Sequence, residues 1–176
     1  MTQTHLLQGK EIALRAMEPE DLEILYTLEN DTTLWNISSV NVPYSKYTLK
    51  QFITNGNHDI YTDGQIRLMI EKNEDHNVIG MIDIIDFNAR HHRAEIGIVL
   101  LNEYRAKGYG KQALSLIEKY AKEYLQLNQL YSFVSIENEH SINLFNSVGY
   151  KQTGMLKEWL FSNKKYIDTL FFQKKL

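Results

Sequence analysis

A loop rich in arginine, lysine and glycine holds the residues whose types and spacing best suit chemistry. It covers residues 105–111, between a predicted strand and a predicted long helix. Gly108 and Gly110 let an anion approach the backbone closely, since neither carries a Cβ. Free N–H groups at a helix start attract anions, and three side chains could add full positive charges: Arg105, Lys107 and Lys111. We therefore expect a phosphate or pyrophosphate site at this loop.

Other interpretations of this loop are possible, beginning with a simple glycine turn and solvated basic residues. A P-loop requires GxxxxGK followed by Ser or Thr, whereas Gln112 follows here and Arg105 stands where the first glycine should be. A dinucleotide fingerprint, GxGxxA, fits Gly108 to Ala113, and Glu137 follows the next strand. However, residues 102–107 separate its first glycine from the strand end, and the chain lacks room for the second half of a dehydrogenase. The dinucleotide interpretation is a distant alternative.

Hydrophobic periodicity predicts the elements that must position the loop. Apolar, β-branched runs predict strands at 12–15, 66–71, 78–86, 94–101 and 130–136, with two more in 150–172 around a turn at 162–164. Helices are predicted at 19–30, 109–125 and 141–147, a second amphipathic helix could occupy 44–53, and 55–64 is rich in turn residues. The long helix should bury one face: Ala113, Leu116, Ile117, Tyr120, Ala121 and Tyr124. Hairpin-paired strands followed by strands linked through a helix predict an α/β fold with a mixed, mostly antiparallel sheet and flanking helices.

Composition narrows the classes of function. The 176 residues suit one domain over 1–176. The chain has no cysteine, which excludes disulfides, thiolate metal sites and a cysteine nucleophile, and fits a cytoplasmic location. No stretch resembles a secretion signal or a membrane span. A net charge of −3 gives no global attraction to nucleic acid or anionic membrane, so we expect neither partner. We also expect no metal site, since the adjacent His91 and His92 lack metal-ligand spacing.

Two motifs stand in order along the chain: Arg105, Gly108 and Gly110 in the loop, and residues 138–150, NEHSINLFNSVGY. They resemble two signatures of the GNAT superfamily of N-acetyltransferases. The first is similar to that family's acetyl-coenzyme A (acetyl-CoA) pyrophosphate loop, (Arg/Gln)-x-x-Gly-x-(Gly/Ala), and the second to Asn-x-x-Ser-x-x-Leu-Tyr-x-x-x-Gly-Phe. The resemblance covers nearly the whole chain and is greatest to the branch containing ribosomal-protein N-terminal and spermidine acetyltransferases. It implies transfer of an acetyl group from acetyl-CoA to a primary amine: a polyamine, a protein N-terminus or an aminoglycoside-like acceptor.

The resemblance also implies where the cofactor binds. A GNAT-like fold would have a splayed strand pair at the cofactor cleft, formed by strands 94–101 and 130–136. Amides near Ile98, Val99 and Leu100 would bind the pantetheine arm, and one could stabilise the developing oxyanion. Asn138 would hydrogen-bond the cofactor. The pyrophosphate would lie against the loop residues Arg105, Ala106, Lys107, Gly108, Tyr109, Gly110 and Lys111.

Glu95 is the first candidate for the general base. An alkyl ammonium has a pKa of roughly 10, so its proton must be removed, which contributes ~10²-fold or more in rate. An ion-paired or surface glutamate is the alternative role for Glu95. Asp83 and Glu158 are weaker candidates that could shape an acidic acceptor pocket. The acidic residues of the first helix and its loop favour a solvated helix face over a site that attracts a cationic amine.

Phe145 departs from the family pattern. Many relatives carry at this position a tyrosine that protonates the coenzyme A thiolate. A thiol pKa of about 8.5 lets the thiolate leave at neutral pH unaided, so activity need not be lost. We therefore expect direct attack by the amine, since no cysteine can form a covalent intermediate. The alternative function is a non-catalytic coenzyme A-binding or sensor module. The resemblance also implies that the chain could form a homodimer or a larger homo-oligomer.

Overall fold

The computed structural model describes residues 6–35, 42–55 and 59–176. These residues form a seven-stranded sheet in the order β1-β2-β3-β4-β5-β7-β6. Its strands are β1 (Ile12–Arg15), β2 (Ile66–Lys72), β3 (Val78–Asn88), β4 (Arg93–Leu100), β5 (Gln129–Ser135), β6 (Lys151–Ser162) and β7 (Lys165–Lys175). The helices are α1 (Leu22–Glu29), α2 (Thr32–Trp35), α3 (Lys46–Asn55), α4 (Ile60–Asp63), α5 (Tyr109–Glu123) and α6 (Glu139–Ser147), with 3₁₀ turns at Pro19–Asp21 and Asn102–Tyr104. The predicted mixed α/β sheet is confirmed.

One strand pair differs from all the others. β4 and β5 are parallel, whereas the remaining neighbours are antiparallel. Their pairing stops after Glu95 and Tyr131, and beyond this point the two strands separate. The predicted splayed pair is therefore present, and it leaves one edge of β4 without a strand partner.

The sheet buries a hydrophobic core on each face. The larger core lies under α5 and α6, and the smaller one lies under α1 and α3. Side chains alternate between faces along a strand, so Ile96 faces the larger core while Glu95 and Gly97 face the side that carries α1 and α3. This second face is the one on which charged side chains accumulate.

Most predicted elements are confirmed, with two differences. The predicted turn-rich stretch 55–64 contains α4, which Asp59 caps by accepting a hydrogen bond from the Tyr61 amide at 3.0 Å; residues 56–58 lie outside the described part. Tyr124, expected on the buried face of the long helix, is 67% exposed. It is the capping residue of α5, and the chain turns back into the core only after it, at Leu125.

Among the described residues, no helix is long and apolar enough to cross a membrane.

Candidate active site

The loop before α5 offers backbone N–H groups to an anion. Gly108 precedes the helix with φ 89°, and within the described part of the chain no side-chain hydrogen bond caps the start of α5. Ala106 also has a positive φ, of 59°. Turns with left-handed residues such as these can form concave groups of backbone amides that bind anions. The loop is exposed from Arg105 to Gly108, whereas Tyr109 is half-buried.

The basic side chains of the loop contribute positive charge, and two of them also contact neighbouring groups of the protein. Arg105 donates from Nε to the carbonyl oxygen of Leu100 at 2.9 Å, which ties the loop to the end of β4. Lys107 Nζ lies 5.6 Å from the centre of the Tyr104 ring. Lys111, in the first turn of α5, is exposed. The backbone amides are therefore the groups best placed to contact phosphate, with the cations around them.

Gly110 also contributes to the packing of two helices. It is buried, and a Cβ built on it would lie 3.2 Å and 3.3 Å from the two methyl groups of Leu144. The absence of a side chain thus brings α5 close to α6. This contact fixes the helix whose first turn carries the anion site.

The free edge of β4 continues from this loop. Ile98, Val99 and Leu100 pair with β3 on one side only, because β5 has diverged. A cavity of about 270 Å³ opens at the end of β4, between Leu100 to Arg105 and the α1 side of the fold. Asn138 caps α6 by accepting a hydrogen bond from the Ser141 amide at 3.1 Å. Unpaired strand amides next to an anion loop fit the amide-bearing arm and pyrophosphate of acetyl-CoA.

Glu95 lies at the last paired position of β4, opposite Tyr131 of β5. Burial and, secondarily, the charge of Asp86 raise the pKa of Glu95 from 4.5 to about 7. Tyr131 donates its hydroxyl hydrogen to Asp86; burial together with this bond raises the pKa of Tyr131 above its ordinary range. Asp86 is exposed and has φ 48°, within the irregular stretch that interrupts the β3–β4 pairing.

This three-residue cluster was only partly anticipated. Glu95 was singled out from the sequence, but no role was predicted for Tyr131 or Asp86. Tyr131 and Asp86 are 45 positions apart, and no local pattern links them. Among the described residues, no group of three histidine or acidic side chains could hold a metal ion.

Asp83 is already paired with a cation. Arg67 donates to its two carboxylate oxygens at 2.8 Å and 2.7 Å, and also bonds Glu29 of α1. All three side chains are largely buried. Arg67 thus shares one positive charge between two carboxylates, and the triad fixes α1 to the sheet.

Glu158 stands apart from the Glu95 cluster, because β7 lies between its strand and β5. It is exposed and lies where the β6–β7 register shifts, with φ 52°. Asp168 fixes this bulge: it accepts from the Glu158 amide at 2.8 Å and from Lys157 Nζ at 2.7 Å.

Phe145 belongs to the core. Its ring stacks on Phe172 with centroids 6.1 Å apart and meets Tyr150 edge-on at 5.0 Å. The Tyr150 hydroxyl is itself buried, and that of Tyr131 is bonded to Asp86. The candidate site thus combines an anion loop, a free strand edge and a carboxylate with a raised pKa.

A model of a known family matches most of the chain. The model, described as an acetyltransferase (GNAT) domain, matches residues 11–151. The protein therefore belongs to the GNAT acetyltransferase family, and its reaction is transfer of an acetyl group from acetyl-CoA to an amine. The alternative of a non-catalytic module is not favoured.

Individual relatives agree with this class. A spermidine N(1)-acetyltransferase of Vibrio cholerae is 28% identical over 91% of this chain and 90% of its own length. One from Escherichia coli K12 is 29% identical over 90% of this chain and 83% of its own length. A putative ribosomal N-acetyltransferase of Bacillus subtilis is 27% identical over 93% and 91%, respectively.

A solved structure extends the likeness to the fold. The crystal structure of spermidine N-acetyltransferase from Vibrio cholerae in complex with CoA and spermine superposes with a TM-score of 0.83. It is 26% identical, and the match covers 95% of this chain and 96% of that one. The predicted GNAT fold and use of acetyl-CoA are confirmed.

Proposed function

We propose that the acceptor is a primary amine of a polyamine and that Glu95 removes its proton. The observation that carries this proposal is the place of Glu95: half-buried, with a pKa of about 7, where β4 and β5 separate. A base whose pKa lies near the working pH combines a large ionised fraction with an adequate drive for proton transfer.

The exposed carboxylate of Asp86 supports a cationic acceptor. Tyr131 holds it by a hydrogen bond, which orients the carboxylate without adding a positive charge. Asp83, in contrast, is paired with Arg67. An approaching ammonium would therefore meet the carboxylate of Asp86, which forms no ion pair with any described residue, beside Glu95. Relatives named for spermidine agree with this substrate class.

In the proposed mechanism Glu95 takes a proton from the ammonium, directly or through water. The freed amine nitrogen then attacks the thioester carbonyl carbon directly, since the chain has no cysteine to form a covalent intermediate. The N–C bond forms, the C–S bond breaks, and the second amine proton passes to the departing thiolate. Acetyl-CoA supplies the acetyl group as a thioester, whose thiolate has a conjugate acid of pKa about 8.5 and can leave at neutral pH. This property removes the need for a hydroxyl at Phe145.

The chain would hold acetyl-CoA chiefly through its backbone. Amides at Ala106 and Gly108 and at the start of α5 would contact the pyrophosphate, with the cations of Arg105, Lys107 and Lys111 around it. The unpaired edge of β4 at 98–100 and the side-chain amide of Asn138 would bind the pantetheine arm. Glu158 would contribute negative charge at the outer end of the acceptor site.

The test is acetyl transfer with a panel of amines. Purified protein and acetyl-CoA are mixed with spermidine, butylamine or a peptide with a free N-terminus; thiol release is followed, and products are identified by mass spectrometry. We expect spermidine to give the highest kcat/KM. Glu95→Gln should lose most of this activity, while the matched control Glu123→Gln, an exposed glutamate at the end of α5, should keep it. Preference for the peptide would contradict the polyamine assignment, and full activity of Glu95→Gln would exclude Glu95 as the base.

Three further properties remain predictions. We expect residues 1–176 to unfold as one domain, the chain to form a homodimer or larger homo-oligomer, and the enzyme to work in the cytoplasm. One calorimetric transition, a mass above the monomer in sedimentation, and cell fractionation would test them in turn.

A further inference from the structure

We infer that Lys174 is a positioning residue for the cofactor: its ion pair with Glu118 holds one end of α6, so that Asn138 at the other end meets acetyl-CoA. Lys174 lies on β7, and Glu118 lies on α5. The inference rests on the proposed cofactor contact of Asn138. It adds a residue that acts through the packing of two helices.

Lys174 joins three elements of the fold. Its ammonium donates to Glu118 Oε2 at 2.5 Å and to the carbonyl oxygen of Val148 at 2.7 Å. The two charged side chains are only 24% and 13% exposed. Val148 is the residue that ends α6, and the dipole of a helix favours a cation at its carboxyl end. One ammonium thus ties the end of α6 to α5 and to the sheet.

The turn after α6 lies against this lysine. Gly149 has φ 90°, and a Cβ built on it would lie 3.9 Å from Lys174 Cε. The next residue is Tyr150, whose ring centre lies 5.6 Å from Lys174 Nζ. Both the stem and the ammonium of Lys174 therefore face the segment 148–150, and this segment cannot shift without disturbing them.

The ion pair is not an efficient way to stabilise this core. Glu118 Oε1 and the Tyr150 hydroxyl are buried, with no hydrogen-bond partner among the residues that the structure describes, and each such atom is costly. Replacing a buried ion pair by neutral groups of similar size is often neutral or stabilising. The pair is therefore better explained by the position in which it holds α6 than by the stability that it adds.

The contact between α6 and α5 lies between the two ends of α6, where Leu144 packs against Gly110. At about 1.5 Å per residue, Leu144 is about 9 Å from Asn138 and about 6 Å from Val148 along the helix axis. If α6 tilted about this contact, a displacement of about 1 Å at Val148 would become about 1.5 Å at Asn138, which is enough to break a hydrogen bond. Lys174 opposes this tilt by holding Val148.

Asn138 moves with α6, because its side chain is bound to the helix. Its Oδ1 accepts a hydrogen bond from the Ser141 amide at 3.1 Å, so the NH2 group is the part that can donate to the cofactor. The anion loop, in contrast, leads into α5. A cofactor that reaches from the loop to Asn138 therefore requires a fixed angle between α5 and α6.

The experiment measures acetyl-CoA affinity after both charges of the pair have been removed. Lys174→Met combined with Glu118→Gln leaves no buried charge unpaired, so urea denaturation should show a folded protein of near wild-type stability. We expect the Kd for acetyl-CoA in calorimetry to rise about tenfold, as for the loss of one hydrogen bond, and the KM for acetyl-CoA to rise equally. The kcat with spermidine at saturating acetyl-CoA should stay near the wild-type value, because Glu95 lies on β4 and not on α6.

The matched control removes an exposed ion pair with the same two substitutions. Lys46 Nζ and Glu23 Oε1 are 2.7 Å apart, and their side chains are 50% and 72% exposed. Lys46→Met combined with Glu23→Gln should change neither the Kd nor the KM for acetyl-CoA.

A further variant shows whether Lys174 acts through Asn138. Asn138→Ser still caps α6, but its shorter side chain should lose the cofactor contact and weaken binding by itself. Added to Lys174→Met/Glu118→Gln, it should weaken binding no further, since the contact is already lost; a full additional loss would overturn the inference.

Two results with Lys174→Met/Glu118→Gln would overturn the inference and leave the proposed function standing. One is wild-type affinity for acetyl-CoA while Asn138→Ser binds weakly. The other is failure to fold, which would assign the pair to stability. Unchanged affinity in Asn138→Ser would instead refute the proposed cofactor contact of Asn138, and the inference with it.

Discussion

Replacing Glu95 by glutamine keeps the size and polarity of the side chain but removes the group that we expect to take the proton of the amine. The wild-type carboxyl has a pKa of about 7, so about a tenth of it is ionised at pH 6 and about nine tenths at pH 8. The kcat/KM for spermidine should therefore rise about tenfold between these two values. A glutamate with its ordinary pKa of 4.5 would give no such rise.

Glu95→Gln should lower kcat by about 10²- to 10⁴-fold at pH 8, the usual contribution of a general base, and abolish the tenfold rise. The assay is initial rates of thiol release over pH 5.5–9, at saturating acetyl-CoA. Asp86→Asn serves as a graded perturbation: burial is the larger cause of the raised pKa and the charge of Asp86 the smaller. The inflection should therefore fall below pH 7 but stay above pH 4.5.

Measuring the free energy of unfolding of Glu95→Gln shows whether a loss of activity comes from the missing carboxyl group or from unfolding of the protein. The folded state raises the pKa of Glu95, so it favours the protonated carboxyl; this contribution is complete below pH 4.5 and is lost as the pH rises through about 7. Glu95→Gln should therefore gain stability relative to the wild type at pH 8 in urea denaturation, and little at pH 4. A pH–rate profile in Glu95→Gln that keeps the wild-type inflection and height would refute the assignment.

Two other substitutions test the buried ion pairs of Arg67 and the backbone conformation at Gly108. Arg67→Met should lower the free energy of unfolding by about 3 kcal/mol, because it leaves the carboxylates of Glu29 and Asp83 largely buried without a cation. Urea denaturation measures the loss, and adding Glu29→Gln should restore part of it. An unchanged free energy of unfolding in Arg67→Met would contradict the role of the triad. Gly108→Ala should weaken acetyl-CoA binding up to about tenfold in calorimetry, since a left-handed residue with a Cβ costs about 1–2 kcal/mol and the loop can relax when no cofactor is bound. Gly64→Ala, at a similar φ of 67° outside the site, is its control, and equal affinities in the two variants would argue against a cradle at Gly108.

The local features of this protein could be predicted from its sequence. Hydrophobic period and turn residues depend on neighbours in the chain, so the strands, the long helix and the anion loop before it could all be located. The GNAT motifs at 105–110 and 138–150 pointed to the family for the same reason. Glu95 was named as a candidate because it lies near the start of the predicted cofactor strand, where the branch of the family that the chain resembles commonly has a glutamate.

Tertiary structure decided what surrounds those residues. Strand register and a backbone irregularity bring Asp86 to Tyr131 and place both at Glu95, whose pKa is raised by burial and, secondarily, by the charge of Asp86. Arg67 of β2 pairs with Asp83 of the neighbouring β3, and Gly110 fits against Leu144 of another helix; neither contact follows from local spacing. Burial and electrostatic neighbours are properties of packing between distant segments, so the sequence determined which groups the site contains, and the fold decided which of them carry free charge.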